Sequence, residues 1–339
     1  MLNALPGRVE ASETALNKQP PMEICYLALA HNNPGVLGRA VKALASEHSP
    51  VYIHVDRKSD LAKFSGIEGE HAHFSERRLA VHWGEFSIVE ATLLLLRWAL
   101  ERSPNAEYFV LLSGSSTYRL RSSDSIRHYL ERNRGQEFIS LAKVPAPGKP
   151  LSRINTVRFP SRQPVRRFLA RASAKLGMGQ RDYRKYLGNM DAYAGNTWWA
   201  LTRGACEYML DLIEKNPAWM RFFENVFTPD ESIFHTILGN SHFKPRIRRN
   251  LLYEDWSAQG AHPAMINAGH VALFQQEQEI GADDGYGSGV MLFTRKLCDG
   301  DIGLLDRIDE MIERKEKAAK TTEREERTTL QEEPVSAQR

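Results

Sequence analysis

Apolar runs of strand length alternate with helix-like segments along this chain, and this pattern limits the folds that it can adopt. The segment 86–100 is apolar nearly all round, as a buried helix would be, and four short apolar runs surround it, at 24–30, 51–55, 107–112 and 137–141. Strands and helices alternate at this spacing when helices wrap a parallel sheet. We therefore predict an α/β fold with a central, mostly parallel sheet flanked by helices.

Composition predicts one folded body with loose ends. Hydrophobic residues make up 42% of the 339 residues, but both ends of the chain are poor in them. The length is enough for one large α/β domain. We predict a disordered leader over residues 1–21, a single domain over 22–305, and a charged helix with a disordered tail over 306–339.

A basic insert interrupts the domain at 145–190. Its basic residues are Arg153, Arg158, Arg162, Arg166, Arg167, Arg171, Lys175, Arg181, Arg184 and Lys185. An apolar stripe runs through part of it, formed by Val165, Phe168, Leu169, Ala172 and Leu176. Two interpretations stay open. The insert is either a solvated helix whose arginine stems cover its own apolar side chains, or a surface that meets anionic lipid or an anionic acceptor.

Charge and cysteine content exclude several classes of protein. A net charge of +3 is too mild to indicate a nucleic-acid binder, and the basic residues cluster apart from the tryptophans. Cys25, Cys206 and Cys298 have no CxxC spacing, so neither a disulfide framework nor a zinc site is indicated. The chain start lacks a signal-peptide pattern, and the longest apolar run, 91–100, is too short to span a bilayer. We expect a cytoplasmic protein, either soluble or peripheral at an anionic membrane.

Ligands of parallel α/β sheets bind at the carboxyl ends of the strands. Here those ends are His31-Asn32, His54-Val55-Asp56 and Ser113-Gly114-Ser115, where we expect a nucleotide. The carboxylate of Asp56 has two interpretations. It accepts hydrogen bonds from a uracil N–H or a ribose hydroxyl, or it caps the next turn, because Asp readily bonds its own backbone.

Two further segments have both a chemical and a structural interpretation. Trp83 lies beside Gly84 in a loop, which suits stacking on a sugar face, but Trp is also a large core residue. Arg295 and Lys296 can neutralise a diphosphate leaving group, but they are equally an ordinary surface pair.

Two Pro-containing segments have the pattern of a helix start. Asn33-Pro34 is typical of an N-cap followed by proline in the first helical turn. Thr228, Pro229 and Glu231 have the spacing of a capping box. That structural interpretation explains the segment, whereas the chemical one uses Glu231 to take a proton from an acceptor hydroxyl.

Several catalytic patterns are absent from the sequence. It contains no Walker A pattern, GxSxG elbow or HExxH. A divalent-metal sugar-nucleotide enzyme needs a carboxylate pair, usually DxD, at the end of a central strand, whereas FVLLSGSSTY at 109–118 has serines and a threonine there. The one D-x-D, at 299–301, lies near the end of the predicted domain. We therefore expect no metal site.

Eight segments, in order, resemble the Core-2/I-branching glycosyltransferase family, which contains β-1,6-N-acetylglucosaminyltransferases and peptide O-xylosyltransferases. They are AHNNPGVLGRAVKAL, YIHVDRKSD, VHWGEFSIVEA, YFVLLSGSSTYRL, GNTWWALTRGACEYML, TPDESIFHTIL, NLLYEDWS with His262-Pro263, and LFTRKL. Together they extend from about Ile24 to Leu297. The run ESIFHTIL favours the xylosyltransferase branch.

The resemblance implies a GT-A-like nucleotide-diphospho-sugar transferase fold. It also implies an inverting, metal-independent transfer of GlcNAc or xylose from a UDP-sugar, with no cofactor. The acceptor would be a hydroxyl of a glycan, a lipid-linked glycan or a protein. Glu231 would be the general base, and Lys296 with Arg295 beside it would hold the donor diphosphate.

The same resemblance implies where the substrates lie. Asp56 would contact the uridine, within a donor site formed with His54, Val55, Ser113 and Gly114. The tryptophans near the sugars would be Trp83, Trp198 and Trp256. The chain departs from the family after its SG turn, where SSTYR at 115–119 replaces a carboxylate followed by Tyr-Pro, and the segment 267–286 looks inserted. The alternative function is a non-catalytic protein that binds glycans or a membrane surface on the same fold.

Overall fold

The computed structural model describes residues 20–332 except 68, 162, 176–179, 259 and 261. Residues 1–19 of the predicted leader and 333–339 of the predicted tail lie outside the described residues. The strands are β1 Ile24–Ala30, β2 Val51–Val55, β3 Ala72–Phe74, β4 Tyr108–Ser113, β5 Tyr118–Arg119, β6 Glu137–Phe138, β7 Ala142–Lys143, β8 Tyr193–Ala194, β9 Trp199–Thr202, β10 Ile247–Arg248, β11 Leu252–Glu254, β12 Gly281–Asp284, β13 Gly287–Val290 and β14 Phe293–Arg295.

Helices connect these strands. They are α1 Pro34–Leu44, α2 Ser87–Arg102, α3 Ser123–Arg132, α4 Ser152–Asn155, α5 Pro164–Lys175, α6 Arg184–Leu187, α7 Arg203–Lys215, α8 Pro217–Phe223, α9 Ile233–Gly239, α10 Ala268–Gln276 and α11 Ile302–Glu332. Within the described part of the chain, none of them has the length and apolar character needed to cross a bilayer.

A seven-stranded sheet forms the centre of the molecule, in the order β10-β6-β9-β4-β1-β2-β3. Strand β1 pairs in parallel with β2 and β4, β2 with β3, and β10 with β6, whereas β9 runs antiparallel to β4 and β6. The strands β1, β2 and β4 are buried along their whole length, as strands covered on both faces must be. The predicted α/β fold with a mostly parallel sheet is confirmed.

A second, smaller core lies beside this sheet. Strands β11, β14 and β5 form a three-stranded sheet. A separate apolar cluster includes side chains from α1, β5, α10 and α11, among them Val36, Tyr118, Phe274, Leu305 and Ile308. Helix α11 therefore packs on the domain, and the boundary predicted between residues 305 and 306 falls inside this helix.

The carboxylate of Asp309 joins α11 to β5 and α1. Asp309 accepts hydrogen bonds from the Tyr118 hydroxyl at 2.8 and 2.9 Å and from the Arg119 guanidinium at 2.7 Å. It also pairs with Arg39 of α1 at 2.7 Å. Because Tyr118 follows the turn at the end of β4 directly, α11 supports the region where a nucleotide is expected.

The two ends of the basic insert are joined by one antiparallel pair, β7 with β8, which forms a separate two-stranded sheet. The insert contains the helices α4, α5 and α6. It is bonded to the domain where the Arg158 N–H donates to the Asn225 carbonyl at 2.8 Å and the Arg181 guanidinium donates to the Phe222 carbonyl of α8 at 2.9 Å. The insert is thus attached to the α8–α9 side of the domain.

Helix α1 begins at Pro34, as predicted, but the side chain of Asn33 does not cap it. Asn33 precedes α1, but its backbone is left-handed at φ 51° and its side chain makes no cap hydrogen bond. The side-chain amide instead donates to the Ser115 carbonyl at 2.8 Å. Asn33 therefore joins the end of β1 to the turn that follows β4.

Candidate active site

The carboxyl ends of β1 and β4 meet the end of β14 at one edge of the molecule. The Ser115 hydroxyl oxygen accepts hydrogen bonds from the backbone N–H groups of His31 at 2.8 Å and Asn32 at 3.2 Å. The Leu297 N–H donates to the Ser116 carbonyl at 3.0 Å. We call this region the donor edge, and it consists of His31, Asp56, Ser113–Thr117 and Arg295–Leu297.

Charged side chains surround His31 at the donor edge. Burial lowers the pKa of its imidazole, and the charges of Asp56, Lys58, Lys296 and Arg295 also act on it. The strand ends predicted to bind a nucleotide therefore lie together with the predicted basic pair. Within the described residues, no group of three or more His, Cys, Asp or Glu side chains is arranged to hold a metal ion.

The turn after β4 is tightly packed. The hydroxyl oxygens of Ser113 and Ser116 lie 2.9 Å apart, and both side chains are buried. A Cβ atom on Gly114 would lie 3.1 Å from the Cβ of Ala30 and 3.2 Å from a methyl group of Leu37. Glycine thus lets this turn approach β1 and α1 closely. That Ser113 and Gly114 contact a donor stays a prediction.

The residues at the end of β2 form hydrogen bonds with neighbouring segments of the protein. The Nε2 atom of His54 accepts from the Leu79 N–H at 2.9 Å, and burial lowers the pKa of this ring. The Val55 carbonyl accepts from Arg78 at 3.0 Å. Asp56 accepts from the Lys58 N–H at 2.8 Å, so it does cap the next turn. Contact of His54, Val55 and Asp56 with a uridine stays a prediction.

Arg295 and Lys296 have different surroundings. The Arg295 guanidinium is paired with the buried carboxylate of Glu254 at 2.8 Å and lies 5.2 Å from the ring centre of Trp198. Lys296 is half-buried and forms no ion pair with the described residues. Burial lowers the pKa of the Lys296 ammonium, and the Arg295 charge lowers it further. Lys296 is therefore the better placed of the two to meet an anionic ligand.

The three predicted sugar-binding tryptophans differ in exposure. Trp83 is 66% exposed, with its ring edge-on to Phe227 at 5.7 Å and to His262 at 5.6 Å. Trp256 is 50% exposed, whereas Trp198 is 8% exposed and packs in the main core. Only Trp83 and Trp256 present enough ring surface for stacking on a sugar. Trp198 instead supports Arg295.

The capping box predicted at Thr228 and Glu231 is wrong. Thr228 has a left-handed backbone at φ 48° and makes no side-chain cap hydrogen bond. Pro229–Glu231 forms a single 3-10 turn, and α9 begins only at Ile233. The carboxylate of Glu231 is therefore not used to stabilise a helix start.

Glu231 instead faces two cations from the basic insert. The Lys149 ammonium and the Arg153 guanidinium both contact its Oε2 atom, Arg153 at 2.5 Å. Its Oε1 atom accepts no hydrogen bond from the described residues. The carboxylate is partly exposed and lines a recess with Arg153, Phe227 and Thr228. One oxygen of Glu231 is thus fixed and the other is left for a ligand.

Glycine allows the backbone at Glu231 to be held closely. The Gly195 N–H donates to the Glu231 carbonyl at 3.0 Å. A Cβ atom at Gly195 would lie 1.7 Å from the Ser140 carbonyl oxygen, so no other residue fits without a shift of the backbone. The Lys149 ammonium also donates to the Gly195 carbonyl at 2.6 Å. Glu231, Lys149 and Gly195 therefore form one connected unit.

The neighbouring carboxylate, Asp230, has a different environment. It is buried and accepts from the Thr197 hydroxyl at 2.6 Å. Burial, together with the charge of the adjacent Glu231, raises the pKa of Asp230 to about 6. Asp230 is thus buried and hydrogen-bonded inside the protein, whereas the side chain of Glu231 lines the recess.

A comparison with protein families assigns the chain. A family model described as Core-2/I-branching enzyme matches residues 24–278. The chain belongs to the Core-2/I-branching enzyme family. Membership agrees with the sequence resemblance and with the GT-A-like α/β fold that it implied.

Relatives of this Core-2/I-branching enzyme include two human proteins. Xylosyltransferase 2 of Homo sapiens is 27% identical over 245 residues, which are 70% of this chain and 27% of that protein. Xylosyltransferase 1 of Homo sapiens is 26% identical over 261 residues, which are 74% of this chain and 26% of that protein. The chain thus spans about a quarter of the length of these relatives. A solved structure, 4-diphosphocytidyl-2C-methyl-D-erythritol synthase, matches with a TM-score of 0.30 at 11% identity and covers 60% of this chain and 86% of that one.

The sequence motifs of this Core-2/I-branching enzyme indicated neither Lys149 and Arg153, which contact Glu231, nor Tyr286, on which the Glu231 charge acts. Burial raises the pKa of the Tyr286 phenol to about 12, and the charge of Glu231 contributes to this rise. Tyr286 lies in the turn between β12 and β13, within the segment that looked inserted. The two inserted segments therefore supply side chains to the site, which no local motif indicated.

Proposed function

We propose that this chain is a glycosyltransferase that moves GlcNAc or xylose from a UDP-sugar to a hydroxyl of a glycan, a lipid-linked glycan or a protein, with inversion. The observation that carries the proposal is the carboxylate of Glu231. It lines a small recess, makes no helix cap, and has one oxygen held by Lys149 and Arg153. Such an arrangement suits a general base.

The proposed reaction is a single displacement. The acceptor hydroxyl attacks the anomeric carbon on the face opposite the diphosphate, and Oε1 of Glu231 takes its proton. A new C–O bond forms while the bond from the anomeric carbon to the diphosphate oxygen breaks, and UDP leaves with the electron pair. Lys296 at the donor edge stabilises the charge that develops on the diphosphate.

Lys149 and Arg153 act through Glu231 in this proposal. Their contacts with Oε2 hold the carboxylate in one orientation and leave Oε1 for the acceptor hydroxyl. Arg153 also donates to the Thr228 hydroxyl at 3.1 Å, which fixes the guanidinium relative to the 3-10 turn. Both are positioning residues.

We expect Lys149→Met to lower turnover by about tenfold, since the base loses one of two orienting charges, while the affinity for UDP stays unchanged. Steady-state rates and UDP titration by calorimetry measure the two quantities. Lys143→Met is the matched control, because Lys143 is an exposed lysine on β7 that pairs with Asp191. Equal losses in the two variants, or a lower UDP affinity in Lys149→Met, would show that Lys149 does not act through Glu231.

We also expect transfer to continue in excess EDTA. The turn after β4 carries hydroxyl groups where a metal-dependent enzyme of this kind has a carboxylate pair, and Lys296 provides positive charge at the same edge. Rates are compared after EDTA treatment and after addition of manganese. Complete loss in EDTA that manganese restores contradicts the metal-independent proposal.

The donor and the activity are tested together by UDP release. The chain is incubated with UDP-xylose or UDP-GlcNAc and a panel of glycan and peptide acceptors, and binding of each donor is followed by thermal shift. Acceptor-dependent UDP release from one donor supports the proposal. Donor binding without any release contradicts it.

A non-catalytic glycan binder is the second candidate function. The observation that favours it is the exposure of Trp83 and Trp256, whose rings are open to solvent. Such a protein would bind glycans with the same affinity after Glu231→Gln and would release no UDP. Glycan titration of both forms distinguishes it from an enzyme.

A further inference from the structure

Helix α5 of the basic insert has an apolar face with no partner among the described residues. Val165 is 70% exposed, Phe168 is 71% exposed and Leu169 is 59% exposed. Their spacing puts all three on one side of the helix. None of them belongs to either apolar core of the protein. Three large apolar side chains concentrated on one short helix mark an interaction surface.

The charge around this face has a single sign. The helix sequence, PVRRFLARASAK, contains four basic residues and no acidic one. The insert 145–190 has only one acidic residue, Asp182, and its exposed basic side chains include Arg158, Arg166, Arg184 and Lys185. On a helical wheel, Arg166 lies at the border of the apolar side chains. Positive charge at the border of an apolar stripe is the pattern of helices that lie in a membrane interface.

We propose that α5 docks this protein on the surface of a membrane that contains anionic lipids. Val165, Phe168 and Leu169 enter the boundary between headgroups and acyl chains, and Arg166 with the other basic residues of the insert meets lipid phosphates. The charge selects an anionic bilayer over the apolar face of another protein, because lipid phosphates pair with the basic residues beside the apolar side chains, whereas an apolar protein face would leave them unpaired.

Docking at α5 orients the candidate active site. The segment before α5 is fixed to the loop that carries Trp83, because the Ser161 N–H donates to Glu85 at 2.6 Å. Arg158 lies 5.2 Å from the ring centre of Phe227, which contacts Trp83. The membrane would therefore lie beside the rim of the recess that contains Glu231. An acceptor attached to lipid would reach this rim directly.

Vesicle sedimentation of the full chain tests the proposal without donor or acceptor, so its outcome is independent of the transfer reaction. The vesicles contain phosphatidylcholine alone or phosphatidylcholine mixed with phosphatidylglycerol. We expect binding to the anionic vesicles, weaker binding to the neutral ones, and loss of the difference at about 1 M salt, where the Debye length is about 3 Å.

Two variants of α5 separate the apolar and the charged contributions. Phe168→Ser with Leu169→Ser should weaken binding to anionic vesicles by at least about tenfold, because the apolar insertion is lost. Arg166→Glu should weaken it by about tenfold through charge reversal near the lipid surface. The matched controls are Leu273→Ser on α10, where the leucine is 44% exposed, and Arg314→Glu on α11, where the arginine is also exposed. The controls should bind as the unmodified chain does.

Circular dichroism and light scattering complete the test. The changed side chains are exposed, so all variants should keep the melting temperature of the unmodified chain. Absence of vesicle binding by the unmodified chain overturns the proposal, as does equal loss in the controls. A dimer that becomes a monomer in Phe168→Ser with Leu169→Ser, without vesicle binding, also overturns it and makes α5 a contact between two copies of the chain.

Discussion

Glu231→Gln is expected to lower turnover by at least about 100-fold while UDP affinity stays within about twofold of the unmodified chain. Glutamine has nearly the shape of glutamate and can still accept a hydrogen bond from Arg153, but it cannot take a proton. The 3-10 turn does not depend on the side chain of Glu231, because no capping box forms there. The melting temperature should therefore change by only a few degrees.

The neighbouring carboxylate provides the matched control for this variant. Asp230→Asn removes a negative charge one residue away, but Asp230 is buried against Thr197 and does not line the recess. We expect it to lower turnover by less than about tenfold. Rates under saturating donor, UDP titration and thermal melting are measured for both variants. Turnover of Glu231→Gln above about a tenth of the unmodified value, or equal losses in both variants, would mean that the base lies elsewhere.

Lys296→Ala is expected to weaken UDP binding by about 10- to 100-fold, the value of one charge-assisted hydrogen bond to a phosphate. Its ammonium lies at the donor edge and has no carboxylate partner among the described residues. The neighbouring Arg295 is already paired with Glu254 and cannot replace the lost charge. The affinity for the acceptor should change much less, because the diphosphate is absent from that substrate.

Titration calorimetry with UDP and with uridine distinguishes the diphosphate from the nucleoside. Uridine affinity should be the same in Lys296→Ala and in the unmodified chain, since the nucleoside carries no charge for Lys296 to meet. Lys215→Ala is the matched control, because this exposed lysine of α7 pairs with Asp211 far along the chain from the donor edge. UDP affinity that stays unchanged in Lys296→Ala would make Lys296 an ordinary surface residue.

The central strands could be predicted from the sequence because burial on both faces requires continuous apolar runs. Strands β1 and β2 begin and end where the runs ICYLALA and VYIHV do. Strand β6 was predicted at 137–141, but it covers only Glu137–Phe138. Its apolar run continues into a loop that other parts of the domain bury. Burial by distant residues and burial within a sheet leave the same pattern in the sequence.

Helix α1 begins at Pro34 as predicted, but neither Asn33 nor Thr228 makes the expected side-chain cap, and the reason is common to both. Asn33 and Thr228 both have a left-handed backbone, whereas a residue that caps a helix with its side chain has an extended one. The Pro that follows each of them is compatible with a helix start in either case. Long-range contacts decide the conformation, since Asn33 bonds to the turn after β4 and Thr228 bonds to Gly84. Local sequence carries no sign of those contacts.

The part of the candidate site that lies at the strand ends could be predicted from the sequence. The part that comes from the inserted segments could not. The donor edge could be located because the carboxyl ends of neighbouring strands must lie together. Lys149 and Arg153 come from an excursion between β7 and β8, and their positive charge had two open interpretations. Tyr286 comes from a hairpin that looked like an insertion. Only the tertiary structure brings these side chains to Glu231.

The second apolar core has a consequence for how the protein is made. Val36 of α1 and Tyr118 of β5 belong to a cluster that Leu305 and Ile308 of α11 complete. During synthesis the strands of the central sheet leave the ribosome well before α11 does, so this cluster stays open to water until the last helix has emerged. The growing chain would then present apolar surface beside an otherwise folded sheet, the state on which chaperones act. A premature stop before α11 would leave the chain permanently in that state.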